Sequence, residues 1–232
     1  EELKVDVCFV EGDNISSYPA STEISLAKKT LTASISGSCD KTYDGTTAAP
    51  STAKLQLSGA VNQEATLSGT IVYESAAASA KAKLIVEDYL VTYADGAAGY
   101  YESPTAPTAE GTISKAAVSG VTGKSLTVEN NKAHTYTYDL TWLLPPLTGS
   151  QQWGDLTYEL TPVSLGNYYN EGAKIENGSL ILPIQSVSSR EEKEIGTIKI
   201  KVTSANFNDF TAALTVSSSN RKIPEVEVTT AA

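Results

Sequence analysis

Apolar residues recur at every second position through much of the chain. Leu31, Ala33 and Ile35 alternate with Thr32, Ser34 and Ser36, and Ile198, Ile200 and Val202 alternate with Lys199 and Lys201. Successive strand side chains point to opposite faces, so a period of two predicts half-buried strands. Val5, Val7 and Phe9 carry the same pattern, as do Ile24 with Leu26, Leu55 with Leu57, Ile71 with Tyr73, and Leu156, Tyr158 and Leu160. Leu84, Val86, Tyr89, Val91 and Tyr93 read as strands kinked at Glu87-Asp88. Across residues 134–144 the even positions are aromatic or aliphatic, from His134 and Tyr136 to Trp142 and Leu144. That predicts one long strand, stopped by Pro145-Pro146 because proline cannot donate to a ladder. The Ala-rich residues 76–82 fit a short helix or a connecting loop equally well.

Reversal pairs punctuate these runs. Asp44-Gly45, Asp95-Gly96 and Asn177-Gly178 suit tight turns, because Gly accepts positive φ and Asp or Asn can bond its own backbone. Phe207-Asn208-Asp209-Phe210 separates two alternating runs, and Arg190-Glu191-Glu192-Lys193-Glu194 reads as a solvated turn. No long helix with a leucine stripe is visible. Many short alternating runs broken by Gly, Asn, Asp and Pro predict an all-β chain built of tandem Ig-like β-sandwich modules.

The densest motif is Lys41-Thr42-Tyr43-Asp44-Gly45-Thr46-Thr47-Ala48-Ala49. On its own it is a turn followed by a Thr pair that suits a strand. It also resembles the signature of the YDG domain, a β-rich repeat of large bacterial surface proteins. The resemblance extends over residues 31–116 and closes through Ala98-Gly99-Tyr100-Tyr101 and Gly111-Thr112-Ile113-Ser114-Lys115-Ala116; Gly99 stands where that pattern usually has Asn. Residues 198–216 resemble the final hairpin of bacterial Ig-like surface repeats. The expected division is N-terminal strands or the end of a preceding repeat at 1–30, a YDG-like β domain at 31–116, an Ig-like β-sandwich at 117–223, and a linker or the start of a next repeat at 224–232. The resemblance implies a non-catalytic structural or adhesive module of a larger bacterial surface protein, extracellular and associated with the cell surface or wall.

Composition fits that picture. The chain has 232 residues, 41% of them hydrophobic and 19% charged, which is enough to bury a core. Its formal net charge of −10 argues against nucleic acid as a partner, since acidic surfaces repel phosphate backbones. No apolar run long enough for a membrane span occurs, so direct membrane insertion is not expected. The chain opens at Glu1-Glu2 without Met and reads as a mature or excised fragment, monomeric within something longer. Cys8 and Cys39 lack metal-ligand spacing; they fit either a disulfide or two free thiols.

Candidate chemistry is sparse. Lys41, Tyr43, Asp44, Gly45, Thr46 and Thr47 offer a ligand or cation site on one reading. On the other, which the residue types favour, they are a fold-determining turn with Tyr43 in the core, Asp44-Gly45 reversing the chain and Lys41 exposed. His134, the sole histidine, has no nucleophile elbow and no cysteine cluster to join, and reads as a strand residue beside a loop. The 27 Asp and Glu residues supply carboxylate pairs by chance, without a tryptophan-lined cleft to give them meaning. No EF-hand spacing surrounds Asp13, Asn14, Asp95 or Asp209, so neither a metal nor any cofactor is expected. Asn14-Ile15-Ser16 and Asn177-Gly178-Ser179 match the N-glycosylation pattern, which a bacterial resemblance leaves without weight. The aromatic loops remain. Trp153, flanked by Gln151-Gln152 and Gly154-Asp155, and the pair Tyr168 and Tyr169 are the candidate ligand contacts. Sugar C–H faces pack on rings while amides bond hydroxyls, so the alternative function is a carbohydrate-binding module. The partners either way are cell-wall or host glycans or proteins.

Overall fold

In a computed structural model, residues 2–7, 20–25, 27–129, 132–187 and 193–219 are described. Cys8, Phe9, Asp13, Asn14, Leu26, Arg190, Glu191, Glu192 and residues 220–232 lie outside the described residues. The chain is nearly all β, with short 3-10 turns and no α-helix among the described residues. Its first strands are β1 (Glu2–Val7), β2 (Ala20–Ser25), β3 (Lys29–Thr30), β4 (Thr32–Ser36), β5 (Lys41–Thr42) and β6 (Lys54–Ser58). Then come β7 (Ala65–Tyr73), β8 (Ser79–Tyr93), β9 (Tyr101–Glu102) and β10 (Ala109–Ser114). The remainder are β11 (Lys124–Val128), β12 (His134–Asp139), β13 (Leu156–Leu160), β14 (Lys174–Glu176), β15 (Ser179–Ile184), β16 (Lys193–Ser204) and β17 (Phe210–Ser218).

Two compact units result. The first comprises Glu1–Lys41, Thr47–Ser75 and Ala80–Thr112; the second comprises Thr42–Thr46, Ala76–Ser79 and Ile113–Ala232. In the first, β1 pairs antiparallel with β2, and β4 with β6. A four-stranded sheet runs in the order β5-β10-β8-β7. Leu31, Ala65, Ala97 and Tyr101 form a buried cluster, with Leu57, Val91 and Tyr93 packed against it. The kink expected at Glu87-Asp88 is a β-bulge inside one continuous strand. Pairing shifts between Ser68 and Thr70 of β7, and Asp88 takes φ 51° opposite the break. Such a bulge leaves an extra residue unpaired and bends the strand. Residues 74–78 connect β7 to β8, and β8 begins at Ser79, so the stretch 76–82 is part connection and part strand with no short helix in it.

The second unit is a β-sandwich. One sheet has the order β11-β17-β16-β13 and the other β12-β15-β14. Their inner faces meet in a single core of Leu126, Val128, Leu180, Leu182, Ile184, Ile198, Ile200, Val202, Ala212, Leu214 and Val216, all essentially inaccessible to water. The alternation along β16 and β17 accounts for this, since each of these inward residues is followed by a more exposed Lys, Thr, Ser or Ala. Asn177 (φ 49°) and Gly178 (φ 73°) turn β14 into β15 as the residue pair demands. The long strand expected over 134–144 is shorter than its alternation suggested. It ends at Asp139, whose carboxylate accepts the Thr141 N–H at 2.9 Å and starts a 3-10 turn over Leu140–Leu143. That turn buries Leu140 and Leu143, three apart, and leaves Trp142 half-buried with Lys124 Nζ 5.9 Å from its ring.

Candidate functional site

The YDG-type turn combines local bonds with contacts to residues distant in sequence. Gly45 adopts φ 81°, and a Cβ there would fall 2.6 Å from the Ser150 carbonyl, so both the conformation and the space require glycine. Asp44 Oδ1 accepts the Thr46 N–H and the Thr46 hydroxyl, each at 2.8 Å, the local bonding that makes Asp a turn residue. Tyr43 is buried at 5% exposure. Its hydroxyl donates to the Gln152 carbonyl at 3.1 Å and accepts the Gln152 N–H at 2.9 Å, and its ring meets Phe207 edge-on at 5.4 Å. In the first unit, Lys41 Nζ donates to the Ala48 carbonyl at 3.0 Å and lies 5.3 Å from the Tyr73 ring, and the Thr47 carbonyl accepts the Tyr73 N–H at 2.8 Å.

Trp153 belongs to the same corner of the second unit. Its ring is half-buried against Phe207 (4.7 Å) and Phe210 (5.7 Å). Asn206, which the sequence alone did not single out, ties the corner together. It is 6% exposed, donates through Nδ2 to the Gln152 carbonyl at 3.0 Å and accepts the Ala78 N–H at 3.0 Å. A shallow groove of about 180 Å³ beside it is lined by Pro145, Pro146, Leu147, Gln151, Trp153 and Phe207.

Tyr168 and Tyr169 sit elsewhere. Trp153 accepts the Asn206 N–H just beyond the last residues of β16, whereas Lys193, the first residue of β16, has its Nζ 5.8 Å from the Tyr168 ring. Twelve strand residues lie between, on the order of 40 Å at the usual rise. The aromatic loops therefore do not form one platform. Tyr169 is half-buried, its hydroxyl accepts the Ala173 N–H at 3.0 Å, and it bridges Ile184 of β15. Ile184 pairs on its other side with His134, which places His134 at the Tyr168 end of the sandwich.

There the edge strands β11 and β12 border a cleft of about 430 Å³ lined by Thr127, Glu129, Lys132, His134 and Tyr136. His134 is exposed and packs edge-on against Tyr136 at 4.7 Å, and Tyr136 stacks on Tyr138 at 6.0 Å and 9°. The Tyr136 hydroxyl accepts the Glu129 N–H and donates to the Glu129 carbonyl, both at 2.8 Å. Burial, with Tyr136 alongside, pushes the Tyr138 hydroxyl up to about 12. The backbone N–H of Thr141 holds the Asp139 carboxyl below its ordinary value. No group of three or more His, Cys, Asp or Glu side chains that could hold a metal occurs among the described residues. Cys39 carries a free, buried thiol, raised by desolvation and by Asp40 beside it.

With these arrangements in view, the comparisons with known proteins divide the chain. The YDG domain profile matches residues 27–109. Those residues form a YDG domain. The YDG domain thus contains the Lys41 to Thr47 motif, and its profile stops short of β11 to β17. No curated protein matches the chain. Two solved chains do. One is "Crystal structure of Down Syndrome Cell Adhesion Molecule (DSCAM) isoform 1.30.30, N-terminal eight Ig domains", at 15% identity and a TM-score of 0.20, covering 88% of this chain and 29% of that one. This chain therefore spans under a third of that structure's length, and the β assignment rests on the strands themselves.

Proposed function

We propose that the chain is a non-catalytic structural and adhesive segment of a larger bacterial surface protein, in which the YDG domain and the β-sandwich after it act as tandem extracellular modules. One observation carries this reading. The polar groups of the YDG turn are committed to the fold: the Tyr43 hydroxyl to Gln152, the Asp44 carboxylate to Thr46 and the Lys41 ammonium to Ala48. A motif so used specifies a shape and offers no reacting group, as expected of a module whose task is to persist and project. The acidic balance of −10 suits a solvated surface.

Immunogold labelling of intact source cells, with antibody raised against this chain, tests the reading. Label on unpermeabilised cells is the expected result. Label seen only after permeabilisation overturns it, as does hydrolase turnover by the purified chain.

A further inference from the structure

We infer that the cleft bordered by β11 and β12 is a binding site for neutral pyranose oligosaccharides, with Tyr136 and His134 as its stacking surface and Thr127, Glu129 and Lys132 as its hydroxyl partners. The inference deepens the adhesive part of the proposed function and rests on it.

Orientation of the rings is the first ground. Tyr136 is held from both sides of its hydroxyl by the backbone of Glu129 and is stacked on Tyr138, so its ring is fixed before anything binds. His134 meets it at 79° and extends the apolar surface to the exposed end of β12. Pre-set aromatic groups contribute contact area with little entropy lost on binding.

Charge decides the class of occupant. Among the described residues the lining carries, besides Tyr136, one carboxylate, one ammonium, one hydroxyl and one imidazole, all exposed. Carboxylate and ammonium cancel, so the described lining has no excess charge to attract a phosphorylated or sulfated ligand. What remains is an aromatic surface ringed by a few donors and acceptors, the general form of a site for an uncharged, amphipathic molecule. Pyranose rings present an apolar C–H face and a rim of hydroxyls that match it. The volume, about 430 Å³, admits more than one sugar ring. Tyr168, with Lys193 over its ring, lies at the same end and provides a surface along which a longer chain could continue.

The test uses the whole chain on an array of neutral tetrasaccharides of glucose, galactose, mannose and N-acetylglucosamine. Bacterial wall fragments and desialylated host glycans are printed as separate sets, so that the two sources of the same chemistry can be told apart. Binding to at least one neutral set is expected, weakened about tenfold by His134→Ala or Glu129→Gln. Gln151→Ala, in the Trp153 groove, should bind like the parent. His134 and Glu129 are exposed, so unchanged thermal unfolding will show that these variants remain folded. No binding to any neutral set overturns the inference. So does binding that neither His134→Ala nor Glu129→Gln weakens, or that Gln151→Ala abolishes. A chain that labels the cell surface yet binds no sugar refutes the cleft alone, and one that binds sugar from inside the cell refutes the surface reading alone.

Discussion

The second unit holds two aromatic corners, at opposite ends of the β16–β17 hairpin, and they use similar residues differently. At one, Tyr43, Trp153, Phe207 and Phe210 converge, and Asn206 and Tyr43 satisfy the backbone of Gln152 from two directions. At the other, His134, Tyr136 and Tyr138 form a row along an edge strand beside open space. Both corners place rings on a sheet. What separates them is how many partners distant in sequence close over those rings. Tyr43 and Gln152 are 109 residues apart, whereas Tyr136 and Glu129 are seven apart. Long-range closure makes a keystone, and local bonding leaves a ring fixed but accessible.

The comparison breaks most readily at Tyr43. Tyr43→Ala removes a buried ring from Phe207 and orphans the Gln152 N–H, which should cost about 3–5 kcal/mol. Chemical denaturation followed by tryptophan fluorescence reports on this unit alone, because Trp142 and Trp153 both belong to it. A loss under 1 kcal/mol would deny the corner its keystone role. Asn206→Ala, read the same way, should cost about 2–3 kcal/mol by leaving the Ala78 N–H unmet and the Gln152 carbonyl with Tyr43 as its remaining donor. Gly45→Ala follows at about 1–2 kcal/mol from its left-handed φ, or more if the Ser150 carbonyl cannot move aside.

Much of this unit was legible in sequence and the corners were not, for one physical reason. The β16–β17 hairpin and the Asn177-Gly178 turn depend on alternation and on near neighbours, which sequence displays directly. The Gly45 turn was readable for the same reason, because Asp44 bonds only two residues away. Trp153 looked like an exposed platform because its neighbours Gln151, Gln152, Gly154 and Asp155 are polar, yet Phe207 and Phe210, more than 50 positions on, half-cover it. Alternation past Asp139 suggested more strand, but a local cap on Thr141 diverted the backbone. His134 was set aside as a strand residue beside a loop. The usable signal was the aromatic row at 134, 136 and 138, one face of a strand whose other face is Thr and Asp.

Alkaline titration sharpens the contrast at the open corner. Tyr138 has its folded pKa raised to about 12 by burial, with Tyr136 contributing, against the ordinary phenol value of 10.0. Between those values the unfolded chain ionises this phenol while the folded chain resists doing so. The stabilisation is therefore complete below pH 10 and falls as pH rises toward 12. Because Tyr138 is only half-buried, solvent screening reduces the effect to about 1 kcal/mol. Tyr158 is raised in the same direction, by burial and then by Asp139, and adds to the slope. Tyr138→Phe should flatten the decline in fluorescence-monitored stability between pH 9.5 and 11.5, and an unchanged slope would place its origin elsewhere.

The smallest expected effect discriminates best between the corners. His134→Ala should change stability by less than about 0.5 kcal/mol, as exposed substitutions away from caps and buried networks generally do. Its ring touches Tyr136, but Tyr136 is already positioned by two bonds to Glu129 and by Tyr138, so its place does not depend on the imidazole. A loss above 1 kcal/mol in denaturation would show that His134 closes the row as Phe207 closes over Tyr43. The cleft would then be a structural edge, and any loss of sugar binding in that variant would have to be read against Glu129→Gln, which leaves in place the backbone N–H and carbonyl that hold the Tyr136 hydroxyl.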